Sequence, residues 1–411
     1  MIGFSCYVLA DSYFISIAKG ADGLTALNLV MPLYSIIFSI GEMIGVGSAI
    51  RYAIGKIKKD ADADDYFWNA IIWCIMSSMI FVFAGIFFSA DIMRVLGADE
   101  HIVAVGNNYT KIFMCFAPMF MCNYVTNAFV RNDGAPGIAM SATLFSSLFN
   151  IVFDYILMFP MNLGMEGAAL ATALSPIIGM GICSIHFFSK KSSVRLVVCK
   201  PSVRKLVAGS QLGVSAFVGE MSSAVITLAF NFVILKLAGN VGVAAYGVVA
   251  NIAIVTTAVF NGVAQGSQPL ISSCFGRGDR DGCTQLKRMG YITAFVLAAV
   301  MYSILFIFAG QFVAVFNSEG SEMLRLYATE GVKLYFIGIF FAGINIVGGG
   351  AFSATEDAFK AAVVSVARGF VLILGAVFVM SALFGMTGVW LAYAVAEGIT
   401  TFIMLVMVLR V

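Results

Sequence analysis

The stretch Gly164-Met165-Glu166-Gly167-Ala168-Ala169-Leu170-Ala171-Thr172-Ala173 returns 221 positions later as Gly385-Met386-Thr387-Gly388-Val389-Trp390-Leu391-Ala392-Tyr393-Ala394. The same offset carries Gly41 onto Gly262, Gly45 onto Gly266, Ile50 onto Ile271, Gly55 onto Gly276 and Asp60 onto Asp281. One offset shared by such distant segments marks an internal repeat. Around these anchors, apolar segments long enough to cross a bilayer alternate with short polar breaks. They run over 1–18, 24–50, 66–89, 105–129, 137–159, 166–188, 207–235, 241–271, 289–315, 328–353, 361–383 and 387–409. All twelve are expected to be helical, because hydrocarbon offers no partner to an unpaired backbone group. Six spans per repeat is an even number, so both halves share one orientation, related by an axis along the membrane normal. The expected fold is an all-α membrane protein: twelve transmembrane helices in two six-helix lobes related by a parallel pseudo-twofold repeat. Its N-lobe is 1–188, the linker 189–206 and the C-lobe 207–411.

Composition agrees with this. Hydrophobic residues make up 61% of the chain, charged residues 11%, and mean hydropathy is +0.97. A soluble domain carries roughly 25% charge. The net charge of +2 gives no field that would draw nucleic acid. Eighteen of the 24 Lys and Arg residues fall on one set of alternating breaks, including the 189–206 linker, and Arg131, Lys360, Arg368 and Arg410 are counted with them. The positive-inside rule makes that side cytoplasmic, with both termini there and the chain in the plasma membrane. Only 18 residues precede Lys19, fewer than the about 20 that span a bilayer, so the first helix is expected to be partial at its start. No basic leader and cleavage site of a signal peptide opens the chain.

The eight cysteines mostly lie in apolar stretches, with no CxxC pair and no metal-ligand spacing, and read as small hydrophobes. His101 and His186 are too far apart for a metal site. No His cluster, GxSxG or HExxH run and no sizeable soluble domain supports an enzyme. A channel would need a pore-loop motif or a ring of repeated acids, and the repeat here is twofold. No cofactor is expected.

Ionisable groups within spans are expensive and mark function by default. Five acids lie there: Asp11, Glu42, Asp154, Glu220 and Glu397. Span centres hold almost no Lys or Arg, so these acids are expected to lack ionic partners. Asn150 precedes Asp154 by four residues, placing both on one helix face. Such a pair, with a nearby hydroxyl, can coordinate a small hard cation or form a proton-dependent network. It can equally tie two helices together, and spacing does not decide between them. Glu42 and Glu397 are secondary candidates, each also readable as a hydrogen bond to a neighbouring helix. Pro32, Pro118, Pro176 and Pro269 lie inside spans and are expected to bend them. Gly41-x-x-x-Gly45 and Gly262-x-x-x-Gly266 are expected to let helices approach closely.

Several runs also resemble a known family. Ala10-Asp11-Ser12-Tyr13-Phe14-Ile15 with Gly20 to Pro32, Asn150 to Leu157, Gly164 to Ala173, Val243 to Gly247, and Gly262 to Leu270 closed by Gly276 are similar to the multidrug and toxic compound extrusion family, nearly along the whole chain in order. The resemblance implies a transporter that exports organic cations and drugs in exchange for H⁺ or Na⁺, with two six-helix lobes around a central cleft. It implies that Asp11, Asn150, Asp154 and Thr172 form the N-lobe cation site, with Na⁺ a candidate ion at Asp11, Asn150 and Asp154. It further implies that Glu220 is a C-lobe coupling or substrate-binding acid. Partners would be small lipophilic or cationic substrates and the lipid bilayer, for a monomer. A lipid-linked sugar flippase of the same superfamily is the rival reading; it calls for a cationic cavity, which the few basic residues in span centres disfavour.

Overall fold

A computed structural model describes residues 2–316 and 321–409. Met1, 317–320 and Arg410, one of the charges that the positive-inside count uses, fall outside it, as does the side chain of Cys6. Among the described residues the chain is helical, with no strand. Eight helices are long and apolar enough to cross a membrane, nine when the bent pair Glu100–Cys115 and Ala117–Asn132 counts as one span. Two of them, Val203–Gly276 and Ala358–Val408, run to 74 and 51 residues. Each is broken inside by a glycine in the left-handed region, Gly239 (φ 62°) and Gly385 (φ 59°), so each is two spans. The N-terminal arm, broken from its neighbour by Gly20 (φ 59°), completes twelve helices. The chain is a multi-pass membrane protein.

In chain order these are α1 (2–19), α2 (Asp22–Lys58), α3 (Asp65–Val95), α4 (Glu100–Cys115 with Ala117–Asn132), α5 (Pro136–Met158) and α6 (Gly164–Phe187). Then follow α7 (203–238), α8 (240–276), α9 (Arg280–Ile307, continued by Ala309–Phe316), α10 (Glu322–Ala354), α11 (358–384) and α12 (386–409). The 46° bend in α4 falls at Phe116, where Pro118 cannot donate to the preceding turn. Asp99, Asp279, Ser321 and Asp357 cap the N-termini of α4, α9, α10 and α11 by accepting a backbone N–H.

Contacts divide the chain into two compact units, Met1–Phe217 and Val218–Val411. The repeat reaches into the backbone of both. Gly164 (φ 51°) opens α6 as Gly385 opens α12, 221 residues on. The α1–α2 and α7–α8 corners are also the same turn. A Cβ on Gly23 would lie 2.7 Å from Lys19 Cβ and 2.9 Å from Ile15 Cγ2; on Gly242 it would lie 2.6 Å from Ala238 Cβ and 2.8 Å from Ile234 Cγ2. At these corners the offset is 219, so two residues have been gained between them and the later anchors.

The two GxxxG motifs behave differently. Gly41 and Gly45 of α2 press on α4, where a Cβ would stand 2.9 Å from Met121 Cα and 3.0 Å from Val125 Cα. A Cβ on Gly262 or Gly266 of α8 would meet no described atom within 4 Å. Close approach therefore holds for the first motif only. Gly45→Ala is expected to cost about 1–3 kcal/mol, because backbone must move. Gly266→Ala at the matching position should be neutral or slightly stabilising. Thermal unfolding midpoints of the two purified variants check this; equal shifts would refute it.

Inside the first unit, Tyr34, Phe38, Phe113 and Phe120 form an aromatic core between α2 and α4, with Tyr34 stacked on Phe113 at 3.6 Å. The second unit is centred on Phe230, Tyr246, Tyr335, Phe336, Trp390 and neighbouring aliphatic residues.

Candidate functional site

α5 presents Asn150 and Asp154 one turn apart, both fully buried (0% exposed). α1 brings Asp11 to the same region, itself 5% exposed. One turn beyond Asp11, Phe14 packs on Tyr155 and Phe159 of α5 at 6.2 and 6.1 Å. The two carboxyl groups are close enough to feel each other's charge. α6 supplies buried Thr172. With the Asn150 amide oriented to satisfy both neighbours, its nitrogen donates to Asp154 Oδ2 (3.2 Å) and its oxygen accepts from Thr172 Oγ1 (3.1 Å). Asp11, Asn150, Asp154 and Thr172 are thus brought together from three helices.

Two tyrosines complete the cluster, and nothing in the sequence singled them out. Tyr109 of α4 donates to Asp11 Oδ2 at 3.4 Å, lies within reach of the Asp154 charge and shares a hydroxyl–hydroxyl bond with Tyr34 of α2. One oxygen on each acid, Asp11 Oδ1 and Asp154 Oδ1, is buried with no hydrogen-bond partner. Two carboxylates in so dry a setting, held by amide and hydroxyl groups alone, cannot both remain bare anions without a severe desolvation cost. The four oxygens of the two carboxyl groups can take up a proton or coordinate a small hard cation.

The remaining acids divide. Glu42 is buried in α2 within electrostatic reach of Arg131, which lies in the last turn of α4. Glu220 is half-buried in α7, in the second unit. Glu397 overturns the expectation that span acids lack ionic partners. Arg368, counted above with the loop charges, sits inside α11 on a π-helical turn, Ala367–Val371. It forms a bidentate pair with Glu397 of α12, at 2.7 Å from Nη2 and 3.1 Å from Nε to Oε1. Asn345 of α10 donates to Glu397 Oε2 at 2.7 Å and accepts from Thr401 at 3.0 Å. A guanidinium reaches into the bundle because the carboxylate, itself held by the Asn345 amide, meets it there.

Among the described residues the second unit has no acid pair at the positions matching Asp11 and Asp154. Nine residues before the corner glycine, where α1 has Asp11, α7 has Phe230; where α6 has Thr172, α12 has Tyr393. Phe230 stacks on Tyr246 at 5.0 Å and Tyr335 on Tyr393 at 4.4 Å. The repeat carries acids and hydroxyls in one unit and stacked rings in the other.

At the linker end of the first unit, Asp133 follows α4 and collects Tyr52 Oη (2.8 Å), His186 Nε2 (2.8 Å), Ser192 Oγ (3.0 Å), the Ser193 amide (2.9 Å) and the Ser193 hydroxyl. Burial alone would raise its carboxyl pKa, but the bonds from Ser193, His186 and Tyr52 outweigh it and hold the group below its ordinary 3.8. Arg195 N on Asp64 and Ser202 N on Asn69 fasten the rest of the linker. Because the folded value is depressed, this stabilisation is complete above the ordinary value and is lost as pH falls through the lower one. Hydrogen exchange of 189–202 should therefore stay flat from neutral pH to about pH 4 and rise only below it, after correction for intrinsic rates. A rise near pH 6 would contradict the assignment.

The MatE family model matches residues 1–156 and 216–379. Among curated proteins the chain is similar to the multidrug export protein MepA of Staphylococcus aureus (strain MRSA252), 27% identical over 405 residues, covering 96% of this chain and 87% of that protein. It is also similar to MepA of Staphylococcus saprophyticus, 26% identical over 401 residues with the same coverage. Among solved structures, an outward-facing multidrug resistance MATE family transporter of the MOP superfamily aligns with a TM-score of 0.92 at 20% identity, over 100% of this chain and 92% of that one. A MOP superfamily transporter from Pyrococcus furiosus, described as having a binding pocket of reverse polarity, aligns with a TM-score of 0.91 at 20% identity, over 99% and 91%. These structural likenesses establish the fold, twelve helices in two lobes. With the family model covering well over half of its length in two blocks that follow the repeat, the chain belongs to the MatE family.

Proposed function

We propose that this protein is a secondary active exporter of lipophilic or cationic small molecules in the plasma membrane, driven by inward movement of H⁺ or Na⁺ and working by alternating access. The observation that carries this reading is the pair of buried acids on α1 and α5, each with one oxygen unengaged. Names of the MepA relatives support multidrug export as the direction and substrate class. In the outward-facing state Asp11 and Asp154 take up the cation. Neutralisation removes the cost of burying them, re-forms the bonds of Asn150, Thr172 and Tyr109, and draws α1 toward α5. The substrate leaves outward, and the cation is released inside with the chain's basic linker on the cytoplasmic face.

Purified protein in liposomes, given a fluorescent lipophilic cation, tests this. Uphill substrate movement is expected under an imposed pH or Na⁺ gradient and should stop when that gradient is collapsed. Movement that ignores both gradients would overturn ion-driven export. The flippase reading finds one favourable feature, the Arg368 guanidinium inside the second unit, but Glu397 neutralises that charge. Protection of a labelled lipid-linked sugar from an external quencher, with no cation efflux, would favour it.

A further inference from the structure

Polar side chains continue beyond the acid pair, along the seam where α4, α5 and α6 meet. One face of α6 presents Thr172, Ser175, Gly179, Cys183 and His186 about once per turn, polar at Thr172, Ser175 and His186. Ser175 bonds back to the Thr172 carbonyl at 3.0 Å, and Ser146 of α5 reaches the Ser175 carbonyl at 2.6 Å. Asn123 of α4 stands opposite Gly179, where a Cβ would lie 2.7 Å from its Oδ1. A turn further on, Asn127 donates to Thr143 Oγ1 (3.2 Å) and the Ala139 carbonyl (3.0 Å), and Thr126 faces the Cys183 thiol. Next comes a short apolar plug of Val130, Ala139, Ala142 and Cys183, all buried. Beyond the plug lie Asp133 and His186, bonded to each other at 2.8 Å.

A second observation singles out this seam. Asp154 Oδ1 and, nearer the linker end, Asn123 Oδ1 are buried acceptors with no hydrogen-bond partner. Leaving such atoms unpaired costs about 1–3 kcal/mol each, and water or a passing cation would satisfy both. From Thr172 to His186 is 14 residues, about 21 Å along a helix and so most of the way to one face of the membrane. Arg131, beside the plug, has Glu42 within electrostatic reach, so its charge does not stand alone against a cation.

We propose that the α4–α5–α6 seam is the path by which the coupling cation, H⁺ or Na⁺, leaves the acid pair for the linker-end face, with Val130, Ala139, Ala142 and Cys183 as its closed gate. Asn123, Thr126 and Asn127 are stepping stones, and Asp133, saturated by its donors, holds the mouth in shape. This rests on the exporter reading.

The test uses full-length protein in liposomes, with three readouts: gradient-driven substrate uptake, substrate–substrate exchange without a gradient, and passive leak of H⁺ (pH dye) or ²²Na⁺. Exchange does not require the cation to leave. Asn123→Leu and Thr126→Val, which keep size and lose polarity, should slow gradient-driven uptake about tenfold or more while exchange stays at wild-type rate. Val130→Thr, which makes the gate polar at constant size, should raise the leak several-fold for the ion that drives transport, and so identifies it. Wild-type uptake in Asn123→Leu and Thr126→Val, a parallel fall of uptake and exchange, or a Val130→Thr leak equal to wild type would each overturn the path. Wild-type protein that moves substrate under neither gradient would instead defeat the exporter reading itself.

Discussion

Asp154→Asn should leave the protein folded and able to bind substrate, while reducing gradient-driven export by on the order of a hundredfold or more, the range set by removing a group that must gain and lose a proton. The substitution keeps the shape of the side chain and an oxygen for Asn150 to donate to. What it removes is a charge. Asp154 is fully buried and its Oδ1 has no partner, so a neutral amide fits the same space without the cost of burying a charge and stays permanently in the cation-loaded condition. Transport in vesicles under a gradient, beside equilibrium binding of the same fluorescent cation, separates the two effects. Uphill transport at wild-type rate by Asp154→Asn would remove the acid pair from the mechanism. Thr172→Ala is the graded companion: it loses one hydrogen bond to Asn150, worth about 0.5–1.5 kcal/mol, and should slow export only several-fold.

Arg368→Leu is expected to be the most destabilising single change in the second unit. It strands Glu397, whose side chain is 3% exposed, without its guanidinium, and breaking a buried pair from one side costs about 3–5 kcal/mol. Asn345 still donates to Glu397 but brings no charge. The double variant Arg368→Leu with Glu397→Leu removes both charges and should recover most of the loss, because a buried ion pair is often replaceable by apolar groups at little net cost. Thermal unfolding of the single and double variants in detergent decides it. A double variant less stable than Arg368→Leu alone would mean that Glu397 serves other partners more than it serves Arg368.

Much of the fold was legible because lipid leaves the sequence few choices: an apolar run of bilayer length can only be a helix. The acid cluster was half legible. Asn150 and Asp154 stand four residues apart on one helix, so their meeting is a matter of local geometry, and Thr172 came from family resemblance. Tyr109 and Tyr34 were invisible, because a tyrosine in an apolar span has no distinguishing pattern and these contacts join positions 98 and 75 residues apart. Arg368 was misread for a physical reason. A long basic side chain two turns into a span normally reaches back to the membrane surface and counts with the loops; only the fold shows Glu397, held by Asn345, waiting for it inside. The repeat hid its own divergence. The anchors share an offset of 221, while the first corner of each half is offset by 219, and that slip kept Asp11 from being set beside Phe230.

The corner glycines Gly20, Gly239 and Gly385 carry a consequence for chemical synthesis. An L-Cβ at any of the three would meet no described atom within 4 Å, yet each has φ near +60°. Crowding is not what reserves these places; handedness is. With ψ at −143°, −157° and −136° the backbone sits where L-residues are almost never found, and an L-alanine there would cost about 1–3 kcal/mol. A mirror-image D-alanine, introduced by semisynthesis, has its natural backbone preference in that region and should stiffen the corner instead of straining it.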